Sequence, residues 1–152
     1  MSIRVATPAD VEALFDVRTS VRENHQGREE LAALGVTPES VAEMLRTSSR
    51  AWLAEMDRRA AAFAMADAAL GTVFALFVRP GYEGRGLGRA LLAEAERWLF
   101  ARGWDEVWLL TGSDERLRAR GFYRRLGWRD AGVQPDGQVK LVRSRAAAAD
   151  PR

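Results

Sequence analysis

The alternation of apolar and polar positions predicts a chain of short strands and amphipathic helices. Residues 3–6 indicate a strand, a helix follows from Pro8 to about residue 23, and a second helix begins after Thr37. Three strand-like runs come next, at residues 51–56, 60–66 and 72–78. The many alanines of the second run leave a helix as its alternative. The third run is almost entirely apolar, so we expect a central strand covered on both faces.

The second half of the chain predicts a β-α-β unit with parallel strands. It consists of the strand at residues 72–78, a glycine-rich loop, a helix at about 87–102 and a strand at 106–111. A further helix is expected at about 115–126, and a last strand at 139–142. We expect residues 1–143 to form a single domain and the alanine-rich tail, residues 144–152, to be disordered.

Four glycines crowd the loop of this unit, in the stretch VRPGYEGRGLGRALL at residues 78–92. Glycine loses more backbone freedom on ordering than any other residue, so such a cluster indicates that something approaches the backbone closely. The loop ends at a helix N-terminus, where the first N–H groups lack helical partners and negative charge is favoured. With Arg85 and Arg89 nearby, the loop predicts a site for a phosphate or diphosphate group.

Two familiar phosphate-binding loops do not fit this spacing. A Walker A loop requires Gly-Lys-Ser or Gly-Lys-Thr, whereas Gly88 precedes Arg89 and Ala90. A dinucleotide-binding loop requires G-x-G-x-x-G and an acidic residue after the next strand, whereas this loop reads G-x-G-x-G and that strand ends in Thr111 and Gly112. A tight strand-to-helix connection without a ligand stays open as the structural alternative.

Composition narrows the range of cofactors and partners. The 152 residues include no cysteine and one histidine, His25, so no metal centre built on thiolates or several histidines is expected. The 23 basic and 21 acidic side chains give a net charge of +2, which does not indicate a nucleic-acid partner. No apolar run is long enough to cross a bilayer, and the first residues lack the apolar core of a signal peptide. We therefore expect a cytoplasmic protein without a membrane partner.

The glycine loop resembles the diphosphate loop of the GNAT superfamily of acyl-CoA-dependent N-acetyltransferases. The family pattern Gln/Arg-x-x-Gly-x-Gly/Ala falls on residues 83–88, with Glu83 in place of Gln or Arg. A second family pattern, Asn-x-x-Ala-x-x-(apolar)-Tyr-x-x-x-Gly-Phe, falls on residues 116–128, with Arg116 in place of Asn and Trp128 in place of Phe. The resemblance covers about residues 71–129.

This resemblance implies both the fold and the cofactor site. The implied fold is α/β (α+β): a mixed, mostly antiparallel central sheet with a parallel β-α-β unit for the cofactor and flanking helices. The implied co-substrate is acetyl-CoA, with no metal, held by the strand before the loop, by the loop and by one aromatic side chain. The expected cofactor-binding residues are Leu76, Phe77, Val78, Glu83, Gly84, Arg85, Gly86, Leu87, Gly88, Arg89 and Phe122.

The resemblance also implies a reaction, the transfer of the acetyl group to a primary amine by direct attack in a ternary complex. Tyr123 is the expected general acid for the departing thiolate, and packing in the core beside Phe122 is its alternative role. Water alone stays open as the proton acceptor. The candidates for a general base, each also readable as a surface residue, are Glu23, Glu55, Asp67 and His25.

The acceptor is the least defined part of this prediction. Arg18 and Arg22, with Glu23 and Asn24, fall on the first predicted helix or just after it, where they are candidate contacts for a small-molecule amine. A solvated helix face is the alternative for these side chains. Two other functions stay open, a protein acetyltransferase acting on lysine or an N-terminal amine and a non-catalytic acyl-CoA-binding sensory module. A homodimer also stays open.

Overall fold

The computed structural model describes residues 2–22, 25–112 and 118–148, which form a sheet with helices on both faces. The strands within these residues are β1 Ser2–Val5, β2 Ser49–Met56, β3 Arg59–Asp67, β4 Thr72–Val78, β5 Glu106–Thr111, β6 Arg129–Val133 and β7 Val139–Ser144. The helices are α1 Val11–Arg18, α2 Arg28–Ala33, α3 Pro38–Arg46, α4 Leu87–Ala101, α5 Arg118–Arg125 and α6 Arg145–Ala148. None of these helices combines the length and the apolarity that a bilayer crossing requires.

The sheet has the strand order β1-β2-β3-β4-β5-β7-β6. All neighbouring strands pair antiparallel except β4 and β5, which are joined through α4 and pair parallel. This arrangement confirms the predicted fold class, a mixed and mostly antiparallel sheet that contains a parallel β-α-β unit. The parallel pair is in register only at Thr72 and Trp108.

A hydrophobic core lies on each face of the sheet. On one face, α4 packs against alanines of β3, and these small side chains let the helix approach the sheet closely. On the other face, α1, α2 and α3 pack against Phe63 and Met65 of the same strand. Strand β3 is therefore buried on both sides, which explains its unbroken apolar sequence. A turn at Asp57 and Arg58, with φ values of 53° and 62°, connects β2 to β3. Residues 60–66 therefore form a strand of a hairpin, and the alternative of a helix for this segment is wrong.

Two predicted elements differ from the structure in extent. Helix α1 ends at Arg18 instead of near residue 23, because the hydroxyl groups of Thr19 and Ser20 donate to carbonyl oxygens of the last turn at 2.9 and 2.6 Å. The predicted disordered tail differs over residues 144–148, since Ser144 ends β7 and the next four residues form α6. The Arg145 guanidinium contacts the Asp105 carboxylate at 3.3 Å and holds α6 beside the start of β5.

Strand β4 also differs from the prediction of a strand covered on both faces. Only Thr72 and Val73 are buried, whereas the Phe74 side chain is 44% exposed. The physical reason is the course of β5, which meets β4 at Thr72 and then leaves it, so that the rest of β4 borders open space.

The turn between β3 and β4 fixes the point at which β4 and β5 meet. The indole N–H of Trp104 donates to the Ala68 carbonyl at 2.7 Å, and that of Trp108 donates to the Leu70 carbonyl at 2.9 Å. The Thr72 hydroxyl donates to the Trp108 carbonyl at 2.8 Å. Gly71 completes the turn with a φ of +70°, and a Cβ atom at this position would lie 2.6 Å from the Trp104 ring.

We expect Gly71→Ala to lower the free energy of unfolding by roughly 2–4 kcal/mol, because the added methyl group meets the Trp104 ring and the positive φ disfavours any L residue. Gly35→Ala is the matched control, since Gly35 has a φ of +85° but no atom within 4 Å of its missing Cβ. For this control we expect a loss of roughly 1–2 kcal/mol. Urea unfolding measures both losses, and equal losses would contradict the role of the Trp104 contact.

Candidate active site

The divergence of β4 from β5 opens a cleft of about 1390 Å³ through the sheet. Strand β5 stays paired with β7 along its whole length, and β4 stays paired with β3, so the two halves of the sheet part between β4 and β5. A bulge at Phe74, which has no partner between the pairs Val73–Ala66 and Ala75–Met65, bends β4 at the start of the opening. The backbone edge of β4 that faces the opening has no neighbouring strand and needs a ligand or water.

The glycine loop closes the wide end of the cleft. Gly84 and Gly86 have φ values of +74° and +80°, which only glycine adopts readily, and the space in front of both is open. No described group accepts a hydrogen bond from the N–H groups of residues 84–89, and the first backbone hydrogen bond of α4 is the one from Ala90 to Gly86. These N–H groups, together with the positive end of the α4 dipole, form a site suited to an anion.

The Glu83 carboxylate has a local structural role in this loop. It accepts a hydrogen bond from the Gly81 N–H at 2.7 Å and so closes the turn that precedes the glycines. The neighbouring Tyr82 hydroxyl donates to the Asp57 carboxylate at 3.2 Å, which ties the loop to the β2–β3 turn. The acidic residue at this position therefore shapes the loop, and its carboxylate is engaged with the loop backbone.

Most of the predicted cofactor residues line the cleft. They are Leu76, Phe77, Val78, Glu83, Gly84, Gly86, Leu87, Gly88, Arg89 and Phe122. The structure places Arg85 elsewhere, because its guanidinium lies 5.2 Å from the centre of the Tyr82 ring and outside the lining. Of the predicted acceptor residues, Arg22 lines the cleft, whereas Glu23 and Asn24 lie outside the described residues, as does Arg116.

Tyr123 packs in the core and also borders the cleft. Its ring packs between Phe122 and Trp128, with centroid distances of 5.3 and 6.1 Å, and only 9% of the residue is exposed. It nevertheless lines the cleft, and none of the described groups hydrogen-bonds with its hydroxyl. Burial raises the pKa of Tyr123 to about 12, so the hydroxyl stays protonated and can donate a hydrogen bond into the cleft.

A buried ion pair supports α5 from behind. The Glu96 carboxylate of α4 lies 3.2 Å from the Arg143 guanidinium of β7, and both side chains are nearly enclosed. Burial raises the pKa of Glu96, and the charge of Arg143 opposes part of that rise. Arg143 also donates to the Leu126 carbonyl just beyond α5, so α4, α5 and β7 are fixed to one another behind Tyr123.

The structure separates the candidates for a general base. Glu55 lies outside the cleft lining, where its carboxylate accepts from Arg4 at 2.8 Å. His25 also lies outside the lining, with its Nδ1 atom 2.9 Å from the Val21 carbonyl oxygen. Asp67 lines the cleft. Within the described ranges, no three His, Asp or Glu side chains lie close enough together to bind a metal ion.

Sequence reasoning missed several polar residues of the lining. Ser49, Thr72 and Thr111 are buried there, and Arg125 of α5 adds a cationic side chain. A threonine at the boundary of an otherwise apolar strand was the one available signal for Thr72 and Thr111. Arg125 follows Tyr123 by two positions, but nothing in the spacing indicates that both side chains border the same cleft.

The family model of the acetyltransferase (GNAT) family matches residues 11–128, which is most of the chain. The chain belongs to this acetyltransferase family. The resemblance seen in the two motifs is thereby confirmed, and the match extends it toward the N-terminus beyond the glycine loop. The matched residues include the glycine loop, the parted strands β4 and β5, and Tyr123.

Solved structures of other proteins share the GNAT fold. The PaiA N-acetyltransferase of Thermoplasma acidophilum, in complex with coenzyme A, superposes with a TM-score of 0.79 at 17% identity, covering 95% of this chain and 99% of that one. The ribosomal-protein-alanine N-acetyltransferase of Brucella melitensis superposes with a TM-score of 0.74 at 20% identity, again covering 95% and 99%. At these identities the likeness concerns the fold alone.

A curated relative matches part of the chain more closely in sequence. The mycothiol acetyltransferase of Beutenbergia cavernae is 46% identical over 67 residues, which are 44% of this chain. The match spans only 22% of that relative's length.

The different placements of Arg85 and Arg89 lead to a binding prediction. We expect Arg89→Gln to weaken coenzyme A binding roughly tenfold, because a cation is lost from the cleft lining beside the exposed loop N–H groups, where an anion is favoured. Arg85→Gln removes the same charge from a guanidinium that lies over Tyr82, so its dissociation constant should change less than about twofold. Calorimetric titration at fixed ionic strength measures both constants, and an equal loss in the two variants would contradict the assignment.

Proposed function

We propose that the protein is an acetyl-CoA-dependent N-acetyltransferase that acts on a primary amine of a small molecule. The observation that carries the proposal is the continuous open path from the unpaired edge of β4 to the free N–H groups of residues 84–89. Membership of the GNAT family supports the acetyl-transfer chemistry. The cytoplasmic location and the absence of nucleic-acid and membrane partners stay predictions.

Acetyl-CoA is the co-substrate in this proposal, and the cleft residues divide its parts among them. The diphosphate would lie against the loop N–H groups beside Arg89, and the pantetheine arm would follow the backbone of residues 76–78. A backbone N–H on this segment would donate to the thioester oxygen as negative charge develops on it. Gly88 keeps the first turn of α4 close to Phe122, whose ring lies 3.4 Å from the position of the missing Cβ.

Tyr123 would serve the departing sulphur as a hydrogen-bond donor. A thiol has a pKa of about 8.5, so complete proton transfer from a hydroxyl of pKa about 12 is unfavourable by more than three units. Tyr123 therefore stabilises the developing thiolate, and the proton that the sulphur finally retains comes from the attacking nitrogen, relayed by the hydroxyl. A role as hydrogen-bond donor suits the Tyr123 hydroxyl, because the side chain is buried and no described group competes for its hydrogen bond.

The size and charge of the cleft favour a small acceptor. Sites for one drug-sized ligand are typically about 300–1,000 Å³, and the 1390 Å³ cleft leaves room for an acceptor beside the cofactor arm. A peptide acceptor is the weaker alternative, because the described lining has only two acidic side chains, Asp67 and Glu83. The name of the mycothiol acetyltransferase relative also points toward a small molecule.

The proposed activity predicts both cofactor binding and amine-dependent release of coenzyme A. We expect acetyl-CoA to raise the melting temperature, and a thiol-reactive dye to report turnover with at least one of phenethylamine, putrescine, glucosamine and methionine methyl ester. Absence of a shift at millimolar acetyl-CoA would contradict the proposal. A shift without turnover would favour the sensory module, and turnover of only an alanine-terminated peptide would favour a protein acceptor.

Tyr123→Phe tests the role of the hydroxyl. Because the ring is retained and the hydroxyl has no described partner, we expect an unchanged melting temperature and acetyl-CoA affinity, with kcat lowered roughly 100-fold. The wild-type hydroxyl, with a pKa raised to about 12, stays protonated through pH 10, so the ratio of the two kcat values should be constant from pH 7 to 10. An unchanged kcat at saturating substrates would exclude this role.

A further inference from the structure

Three polar residues form a row across the sheet at the narrow end of the cleft. Ser49 of β2 is paired with Asp67 of β3, and Asp67 is paired with Thr72 of β4. Side chains of directly paired residues lie on the same face with Cβ atoms about 4.5–5.5 Å apart. All three residues line the cleft, and we call them the polar row.

The polar row lies on the face of the sheet opposite α4. Ser49 is two positions before Ala51, and Asp67 is two positions after Met65, and both of these neighbours belong to the core beneath α1, α2 and α3. The glycine loop leads into α4 on the other face. A ligand that enters past the loop and one that contacts the polar row therefore approach the parted strands from opposite faces.

The Asp67 carboxylate is held in place but is not neutralised. One of its oxygens accepts a hydrogen bond from the Ala69 N–H at 2.8 Å, within the turn that Trp104 and Trp108 anchor. No described lysine, arginine or histidine forms an ion pair with it. No described group hydrogen-bonds with the Ser49 hydroxyl either, so the polar row presents an acceptor oxygen and a hydroxyl to the cleft.

Among the described residues, Asp67 is the one acidic side chain that lines this end of the cleft. From the segment after α1, Arg22 contributes an exposed cation to the lining. On α3, Met44 lines the cleft, and Glu43 and Arg46 pair with each other at 3.7 Å. Strands β2 and β4 contribute the uncharged Ser49 and Thr72. Glu83, the other acid of the described lining, belongs to the glycine loop at the opposite end.

We propose that Asp67 is the final acceptor of the proton that the ammonium group of the acceptor loses, so that the amine attacks the thioester in its neutral form. The inference rests on the proposed acetyltransferase activity and names its substrate class, a primary amine that arrives protonated. Leu76, which would border the pantetheine arm, pairs with Ala64 of β3, and Ala64 lies about 10 Å along the strand from Asp67. The proton therefore moves through water held between Ser49, Thr72 and the acceptor.

The proton balance of the step is complete without a further reactant. Asp67 takes one proton from the ammonium, and the neutral nitrogen forms the new C–N bond to the thioester carbon. When the C–S bond breaks, the second proton of that nitrogen passes to the sulphur. The products are the acetamide and free coenzyme A, and Asp67 returns its proton to solvent before the next turnover.

Asp67→Asn tests the proposal, with the best amine of the four-compound panel as acceptor. Asparagine retains an oxygen for the Ala69 N–H but cannot accept the amine's proton. We expect kcat/KM to fall roughly 100-fold at pH 7, with melting temperature and acetyl-CoA affinity unchanged. The defect should shrink steadily as the pH approaches the pKa of the amine, because solution then supplies the neutral nucleophile. A merely structural role of Asp67 would give a defect that does not depend on pH in this way.

Glu55→Gln is the matched control, because Glu55 is an acid of β2 that pairs with Arg4 outside the cleft. We expect its kcat/KM to stay within about twofold of the wild type, as is typical of exposed ion pairs. Wild-type turnover together with an unchanged Asp67→Asn rate, or with a defect that is the same at every pH, would overturn the role of Asp67 alone. Absence of wild-type turnover with every amine would overturn the proposed function, and this inference with it.

Discussion

The single backbone pairing between β4 and β5 is the constraint on which the rest of the structure depends. Thr72 and Trp108 pair the two strands at one point, and the turn before β4 is anchored there by hydrogen bonds from the indoles of Trp104 and Trp108. Beyond it each strand keeps its other neighbour, so the sheet opens without unravelling. An opening of this kind leaves backbone groups unpaired, and such groups are stable only with a ligand or water.

The same geometry distributes chemistry along the cleft. At the wide end, left-handed glycines expose the N–H groups of residues 84–89 and Arg89 adds a cation, which together favour phosphate. In the wall lies Tyr123, a buried hydroxyl that stays protonated. At the narrow end the polar row supplies an uncompensated carboxylate on the opposite face. The exposed N–H groups and Arg89 therefore suit a phosphorylated donor, and the Asp67 carboxylate, which has no described ion-pair partner, suits an acceptor amine.

Local sequence signals predicted the elements that local interactions determine. The bounds of β4 and β5 and the start of α4 agree with the apolar runs and the glycine loop, because these features act within a few residues. Strand β6 escaped prediction, because every residue in it is exposed and no alternation marks it. Helix α2 has six residues and a single buried position, Leu31, too little to give a periodic pattern.

The site was predictable in part for a related reason. The glycine loop and Tyr123 belong to motifs, whereas the difference between Arg85 and Arg89 depends on which guanidinium finds an aromatic ring nearby. That Asp67 lines the cleft and Glu55 does not depends on sheet register and on the direction in which β5 leaves β4. Both are long-range properties that no short segment of the sequence encodes.

The exchange of backbone amide hydrogens in residues 84–89 tests the central claim most directly. In the free protein these N–H groups have no described acceptor, so they should exchange rapidly. If the parted sheet and the glycine loop form the binding site, saturating acetyl-CoA should slow exchange strongly in residues 84–89 and in the open edge of β4. Unchanged exchange in both segments at saturating acetyl-CoA, with protection elsewhere, would contradict the account.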